Sequence, residues 1–405
     1  MHRTLFAEKS REMWNNRNVW VILVSEFVVG LGLWSGIIGN LEFMQSIVPS
    51  DFHKSLILAA GMLAGLAFGP LAGRIIDQVP KKKVLIWSQI GRVLSVLLMF
   101  VAIFTNSVIW MILFLIVLQV SAAFFMPAIQ AVIPMVVKES ELLELNAWHM
   151  NVRTISRIVG TAAAGLLLTY VDVIWLYAVS FVMYAVMLLV IMAFQLPEEQ
   201  ARIKSKQKAS FMEVWPILKK YPIVLTALCL TIIPTLFLGS FNLMIINIVE
   251  MHNKASLSGL IYTFEGIGFM LGAFVVKRVS DYVKPMPLLF AFAFIMCGLD
   301  MTLAMANIQW MPLITFTAFG FCVGCFFPTV MTIFQKSLPK EYHGRFFSFR
   351  NMLDTVVFQV VLLSAGAMLD MIGLQFMGVV FGAISLVLSI YFLWLVRRKP
   401  SLSVE

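Results

Sequence analysis

The chain has 405 residues, 60% of them hydrophobic and 13% charged, and carries a formal net charge of +9. A water-soluble protein cannot place that much apolar surface, so the composition excludes a soluble domain and points to a membrane protein. The basic surplus has to be read from where the lysines and arginines fall before nucleic acid is invoked as a partner.

A membrane-crossing helix needs about 20 mostly apolar residues to span roughly 30 Å of hydrocarbon. Residues 1–18 are polar and lack a short apolar core followed by a small-residue cleavage site, so no removable signal peptide is expected. The first half then predicts spans at 19–40, 55–75, 84–104, 107–135, 147–170 and 174–196. Glu26 lies within span one. Spans two and three are joined by GPLAGRIIDQVPKKK, which contains Gly73, Asp77, Lys81 and Lys82. Arg92 lies in span three, and span four ends in FFMPAIQ. Span five presents His149, Arg153 and Arg157 at intervals of four, a stripe on one helical face.

Residues 197–221 form the longest polar interval and divide the spans six and six. The second half predicts spans at 223–249, 256–276, 287–306, 310–334, 346–369 and 374–396, with a short tail at 397–405. Glu265 falls near the middle of span eight in TFEGIGF, where small neighbours let another backbone or a ligand approach. Asp281 follows in the next loop, Asp300 lies in span nine, and Arg350 and Asp354 stand four apart in span eleven. Cys229, Cys297, Cys322 and Cys325 all lie in apolar segments, so neither a disulfide framework nor a zinc site is indicated. Beside Gly320 and Gly324, the last two cysteines read as small packing residues. His53, His252 and His343 lie in loops and read as ordinary surface groups.

The basic residues alternate by loop. Only Lys54 and Lys254 fall in one set of loops, and Arg92, Arg153, Arg157 and Arg350 lie within spans; all the others fall in the opposite set, with both termini. This is the positive-inside pattern, and it places both termini in the cytoplasm. The two halves also repeat. Asp77 and Asp281 follow equivalent spans, Pro127 and Pro328 end equivalent spans, and the two pairs have nearly the same separation.

On these residues the chain resembles the major facilitator superfamily over essentially its whole length. That family carries a pattern close to G-x-x-x-D-R-x-G-R-R between spans two and three, matched here by Gly73, Asp77, Lys81 and Lys82, with Gln78 in place of a basic residue and Pro80 in place of a glycine. The run PAIQAVIPMVVKESELLELNA is similar to the branch of macrolide-efflux and siderophore-export proteins. The resemblance implies an all-α membrane protein of twelve helices in two six-helix bundles, 19–196 and 222–396. It implies a single-chain transporter in a bacterial cytoplasmic membrane that exports amphipathic or drug-like molecules, uses no cofactor and is driven by a proton gradient. It also implies that Asp77 docks near Gly344 and Arg345, and Asp281 near Asn146, as an inner-side latch. Carboxylates are favourable at helix N-termini.

Ionisable groups inside a span are costly unless paired or hydrated, so each is a functional candidate. Glu26 and Glu265 are expected to organise a central cavity with Arg153 or Arg157, and Arg92 and Asp354 join them as candidates. Purely structural pairing is the competing reading, most directly for Arg350 with Asp354. Arg153 has room to snorkel. Within transport, the basic stripe suits an anionic cargo such as a siderophore or lysophospholipid, whereas the two glutamates suit a cationic one. A lipid-modifying enzyme lacks any supporting motif such as H-E-x-x-H, and a sensor that moves no cargo is the third class.

Overall fold

The computed structural model describes residues 13–138, 141–193, 218, 220–280 and 282–398, and within them every long apolar run is helical. In chain order the helices are α1 (Arg17–Ile47), α2 (Asp51–Gln78), α3 (Lys81–Thr105), α4 (Val108–Val136), α5 (Leu142–Leu167) and α6 (Val173–Ala193). Next comes α7 in two pieces (Pro222–Leu230 and Ile232–His252), then α8 (Ser256–Val279), α9 (Pro285–Thr302) and α10 (Met311–Ser337). The final stretch, Lys340–Arg398, is interrupted at Gly373 (φ 74°), which separates α11 (340–372) from α12 (374–398). Only glycine enters that backbone region readily, so one residue sets the boundary between the last two rods.

Local chemistry places the other ends. The Asn16 side chain accepts from the Asn18 N–H at 2.9 Å to start α1, and its amide donates to the Val136 carbonyl at 2.8 Å. Asn106 and Asn253, both at φ 50°, end α3 and α7 in the left-handed conformation. The break in α7 precedes Pro234, whose ring clashes with the carbonyl four residues back, that of Leu230.

Among the described residues, ten helices are long and apolar enough to cross a membrane, and the last of these counts α11 and α12 as one stretch. The remaining difference from the twelve expected spans is α5, whose arginines lower its hydropathy. It becomes helical regardless, because it packs along α1.

The chain divides into two compact units, Met1–Val48 with Leu56–Ser205, and Pro49–Ser55 with Lys206–Glu405. In the first, α1 packs on α5 and α6, and α3 on α4 and α6. In the second, α7 packs against the α11–α12 stretch, α9 against α10 and α12, and α8 against α10. The pairs made by α7, α9, α10 and α12 repeat those made by α1, α3, α4 and α6, and Gly61 and Gly65 of α2 face Leu115 and Gln119 of α4 as glycines of α8 face α10, so the repeat seen in the sequence is also a repeat of packing.

Helices α8 and α10 meet backbone to backbone. A methyl group added to Gly268 or Gly272 would sit 2.1 Å from the carbonyl oxygen of Thr317 or Phe321. One added to Gly320 or Gly324 would sit 2.2 Å from that of Glu265 or Phe269. Both helices therefore carry glycines four apart, and each bare Cα faces the other helix's backbone, where dispersion and weak Cα–H···O contacts replace side-chain packing.

A second polar feature of this unit lies at the start of α2. The Asp370 carboxylate accepts from the N–H groups of Asp51 (2.7 Å) and Phe52 (3.1 Å) and from the Ser50 hydroxyl (2.6 Å). It supplies the anion that a helix N-terminus favours. Asp51 in turn accepts from Lys54 and Asn247, each at 2.9 Å.

Three outcomes are expected in thermal unfolding of the detergent-solubilised protein. Gly324→Ala should destabilise by about 1–3 kcal/mol, because a backbone oxygen cannot move aside. Gly298→Ala, with nothing within 4 Å of the added carbon, should be neutral or slightly stabilising. Asp370→Ala should cost about 1 kcal/mol through the lost cap, and equal melting of this variant and the parent would show that the cap contributes nothing.

Candidate functional site

In the first unit, Glu26 lies in the first third of α1 and is 8% exposed. One turn further along, Gly30 faces Ser156, which lets α5 approach and brings its stripe to the carboxylate. His149 Nε2 lies 3.2 Å from Glu26 Oε2, off the line of a well-formed hydrogen bond. Arg153 Nε lies 3.9 Å from Oε1, while its side chain remains 57% exposed. Arg157 does not join this pair: its guanidinium stands 5.8 Å from the centre of the Trp34 ring, beside the close contact of Gly160 with Leu31 and Trp34.

Arg92 reaches the same region from α3. It is 5% exposed, and its guanidinium stands 4.1 Å from the centre of the Phe125 ring and 5.9 Å from that of Tyr184. Charge–charge interaction links it to both Glu26 and Arg153. Its Nε and one terminal nitrogen have no hydrogen-bond partner among the described residues.

In the second unit, Glu265 is 3% exposed on α8, its own carbonyl covered by Gly320. One turn earlier, the Tyr262 hydroxyl hydrogen-bonds Asn242 of α7. Asp354 pairs with Arg350 at 3.2 Å along one helix, and Arg350 also contacts the Met331 sulfur and stands over the Phe334 ring. The two thus form an ion pair within one helix, in which Arg350 Nε makes no well-formed hydrogen bond. Asp300 is buried where α9 meets α12 and takes one hydrogen bond, from the Ser385 hydroxyl at 3.2 Å. His252, read from sequence as a surface group, instead contacts the Ala306 carbonyl at 2.8 Å and ties the end of α7 to the end of α9.

The loop between α2 and α3 is partly described. Because α2 runs on to Gln78, Gly73 and the backbone of Asp77 stand on that helix and not in the loop; a carbon added to Gly73 would meet nothing within 4 Å, and Lys82 donates to the Met192 carbonyl at 2.8 Å, where a cation complements the end of α6. Lys81 opens α3. The side chains of Asp77 and Arg345, and all of Asp281, lie outside the described residues, so the expected latch contacts do too.

Sequence reasoning named the stripe on α5 but not His149 as the residue nearest Glu26. The fixed spacing of four to Arg153 was the available signal. Nothing in the sequence joined Asp370 to residues 50–52, which are far away along the chain. Among the described residues no group of three or more metal-ligating side chains gathers.

The Major Facilitator Superfamily model matches residues 22–358 and 256–405. Macrolide efflux protein A of Streptococcus pyogenes is 23% identical over 354 residues, covering 82% of this chain and 84% of the relative. Multidrug resistance protein MdtG of Yersinia enterocolitica is 23% identical over 401 residues, covering 95% and 94%. Among solved structures, a mutant of the nucleoside transporter NupG aligns with a TM-score of 0.78 at 10% identity, covering 93% of this chain and 99% of that one. A bacterial homologue of ferroportin in an inward-facing state aligns with a TM-score of 0.73 at 14% identity, covering 93% and 98%. With a family match across most of its length and the same all-helical fold, this chain belongs to the Major Facilitator Superfamily: it is a multi-pass membrane protein and a secondary transporter of small molecules, not an enzyme.

Proposed function

We propose that this transporter exports amphipathic, drug-like small molecules across a bacterial cytoplasmic membrane by alternating access, in exchange for protons. The observation that carries the reading is Glu26, a buried carboxylate placed between a titratable imidazole and a solvent-reaching arginine. A carboxylate so placed changes its preference for a proton when either neighbour moves or is hydrated, which is the property a coupling group needs. Glu265 supplies a second buried acid in the other unit. The relatives named for macrolide efflux and multidrug resistance support the export sense and the breadth of cargo.

The 26 methionines and 34 phenylalanines provide adaptable apolar surface for such cargo. The loop basicity supports an orientation with both termini in the cytoplasm. Gly73, Asp77, Lys81, Lys82 and Asp281 then serve as an inner-side latch that closes and opens with the cycle, and the bundles 19–196 and 222–396 are its moving parts. The second reading, export of one specific anionic metabolite, is favoured by the two arginines that accompany a single acid around Glu26.

Membrane vesicles with an imposed pH gradient test the reading with a panel of cationic, neutral and anionic compounds. Gradient-driven movement of at least one class is expected, and its absence across the panel would rule out proton exchange. Glu26→Gln and Glu265→Gln should each slow gradient-driven transport by about tenfold or more, equivalent to ~1.4 kcal/mol, and flatten its dependence on pH. If both variants transport as the parent does, these acids are not the coupling groups.

A further inference from the structure

Two guanidinium groups and one carboxylate share the polar cluster of the first unit. The charged and titratable groups that act on Glu26 are His149, Arg153 and Arg92, and those that act on Arg92 are Tyr184, Glu26 and Arg153. Glu26 is thus the only acid in either set. With His149 neutral the cluster carries one positive charge too many, and a proton on either His149 or Glu26 raises the surplus to two.

Among the described residues no acceptor next to Arg92 absorbs that surplus. The faces of Phe125 and Tyr184 attract the cation but do not accept its in-plane N–H groups. Gln89, one turn away on α3, donates its amide N–H to the Tyr184 carbonyl at 2.9 Å, and its Oε1, the one atom of the side chain able to accept, makes no hydrogen bond to Arg92 or to any other group among the described residues. The Nε and one terminal nitrogen of a 5%-exposed arginine are therefore left without acceptors among the described residues. Buried donors of a charged group are rarely left so unless something occupies them during function. Arg153, 57% exposed at 3.9 Å from Glu26, forms the accessible side of the cluster.

We propose that this cluster is the recognition site for an anionic group on the cargo, a carboxylate or sulfonate carried by an aromatic or apolar body, with Arg153 as the first contact and Arg92 as the anchor. The assignment rests on the transporter reading above and narrows its cargo to organic anions. A proton on Glu26 removes the carboxylate that competes for the two arginines, so the protonation state of Glu26 sets the affinity for the anion and links cargo to proton through the arginines they share.

Binding to the purified full chain, measured by isothermal titration without any gradient, tests this with three compounds of one ring size: 2-naphthoate, 2-naphthamide and 2-naphthylmethylammonium. The naphthoate should bind at least tenfold more tightly than the other two. Arg92→Gln and Arg153→Gln should each erase that preference, Arg92→Lys should keep part of it, and Glu26→Gln should tighten naphthoate severalfold. Because the last three variants each retain the Arg92 position's charge or leave it untouched, the series survives if Arg92→Gln does not fold. Opposite effects of neutralising an acid and a base are not produced by structural roles alone. Equal binding of the three compounds, no binding of naphthoate, preference for the ammonium, or weaker naphthoate binding in Glu26→Gln would each overturn the assignment. Gradient-driven export of cationic compounds alone would also overturn it while leaving proton-coupled efflux intact. Naphthoate selectivity without gradient-driven transport of any compound would do the reverse.

Discussion

A charge inside a helix bundle bordered by lipid has to be met by another charge, a hydrogen bond or water, and that demand organises both units. In the first unit it brings α1, α3 and α5 together where Glu26 meets His149 and Arg153 and interacts with Arg92. In the second unit the charges are met more locally. Arg350 finds Asp354 on its own helix, Asp51 finds Lys54 one turn away, and Asp370 finds the open end of a helix. The first unit therefore concentrates its polar side chains, whereas the second disperses them among separate contacts.

Packing follows a different rule from charge. With lipid tails as apolar as leucine, no hydrophobic force drives one spanning helix onto another, so close fit must do so. Gly30 at α1–α5 and the four glycines at α8–α10 supply it, and in both places a buried glutamate lies within a turn or so of the contact. The glycines let a polar group sit where helices are nearest, and there it is most completely screened from lipid.

Much of this was legible in the sequence, and the physical reason is periodicity. Apolar length located the rods, and the recurrence of Asp77 and Pro127 as Asp281 and Pro328 announced the duplicated plan. The small residues around Glu265 and beside Cys322 and Cys325 pointed to close backbone approach, which the α8–α10 contact displays. Contacts between distant segments were not legible. His149 was visible as part of a stripe, but its distance from Glu26 depends on how α1 and α5 rotate about their axes. The Asp370 cap depends on where two chain segments, more than half the sequence apart, come to rest. The break in α7 had a local signal in Pro234, though hydropathy alone reads straight through it.

The bare contact between α8 and α10 has one more implication. Side chains between most helices act as a compliant layer that can change rotamer and absorb a small displacement. Where carbonyl oxygens press directly on Cα atoms that layer is missing, so the two helices form a stiff double rod. Any shift of the backbone at Glu265 is handed on to α10 with little loss, which makes the pair a lever instead of a cushion.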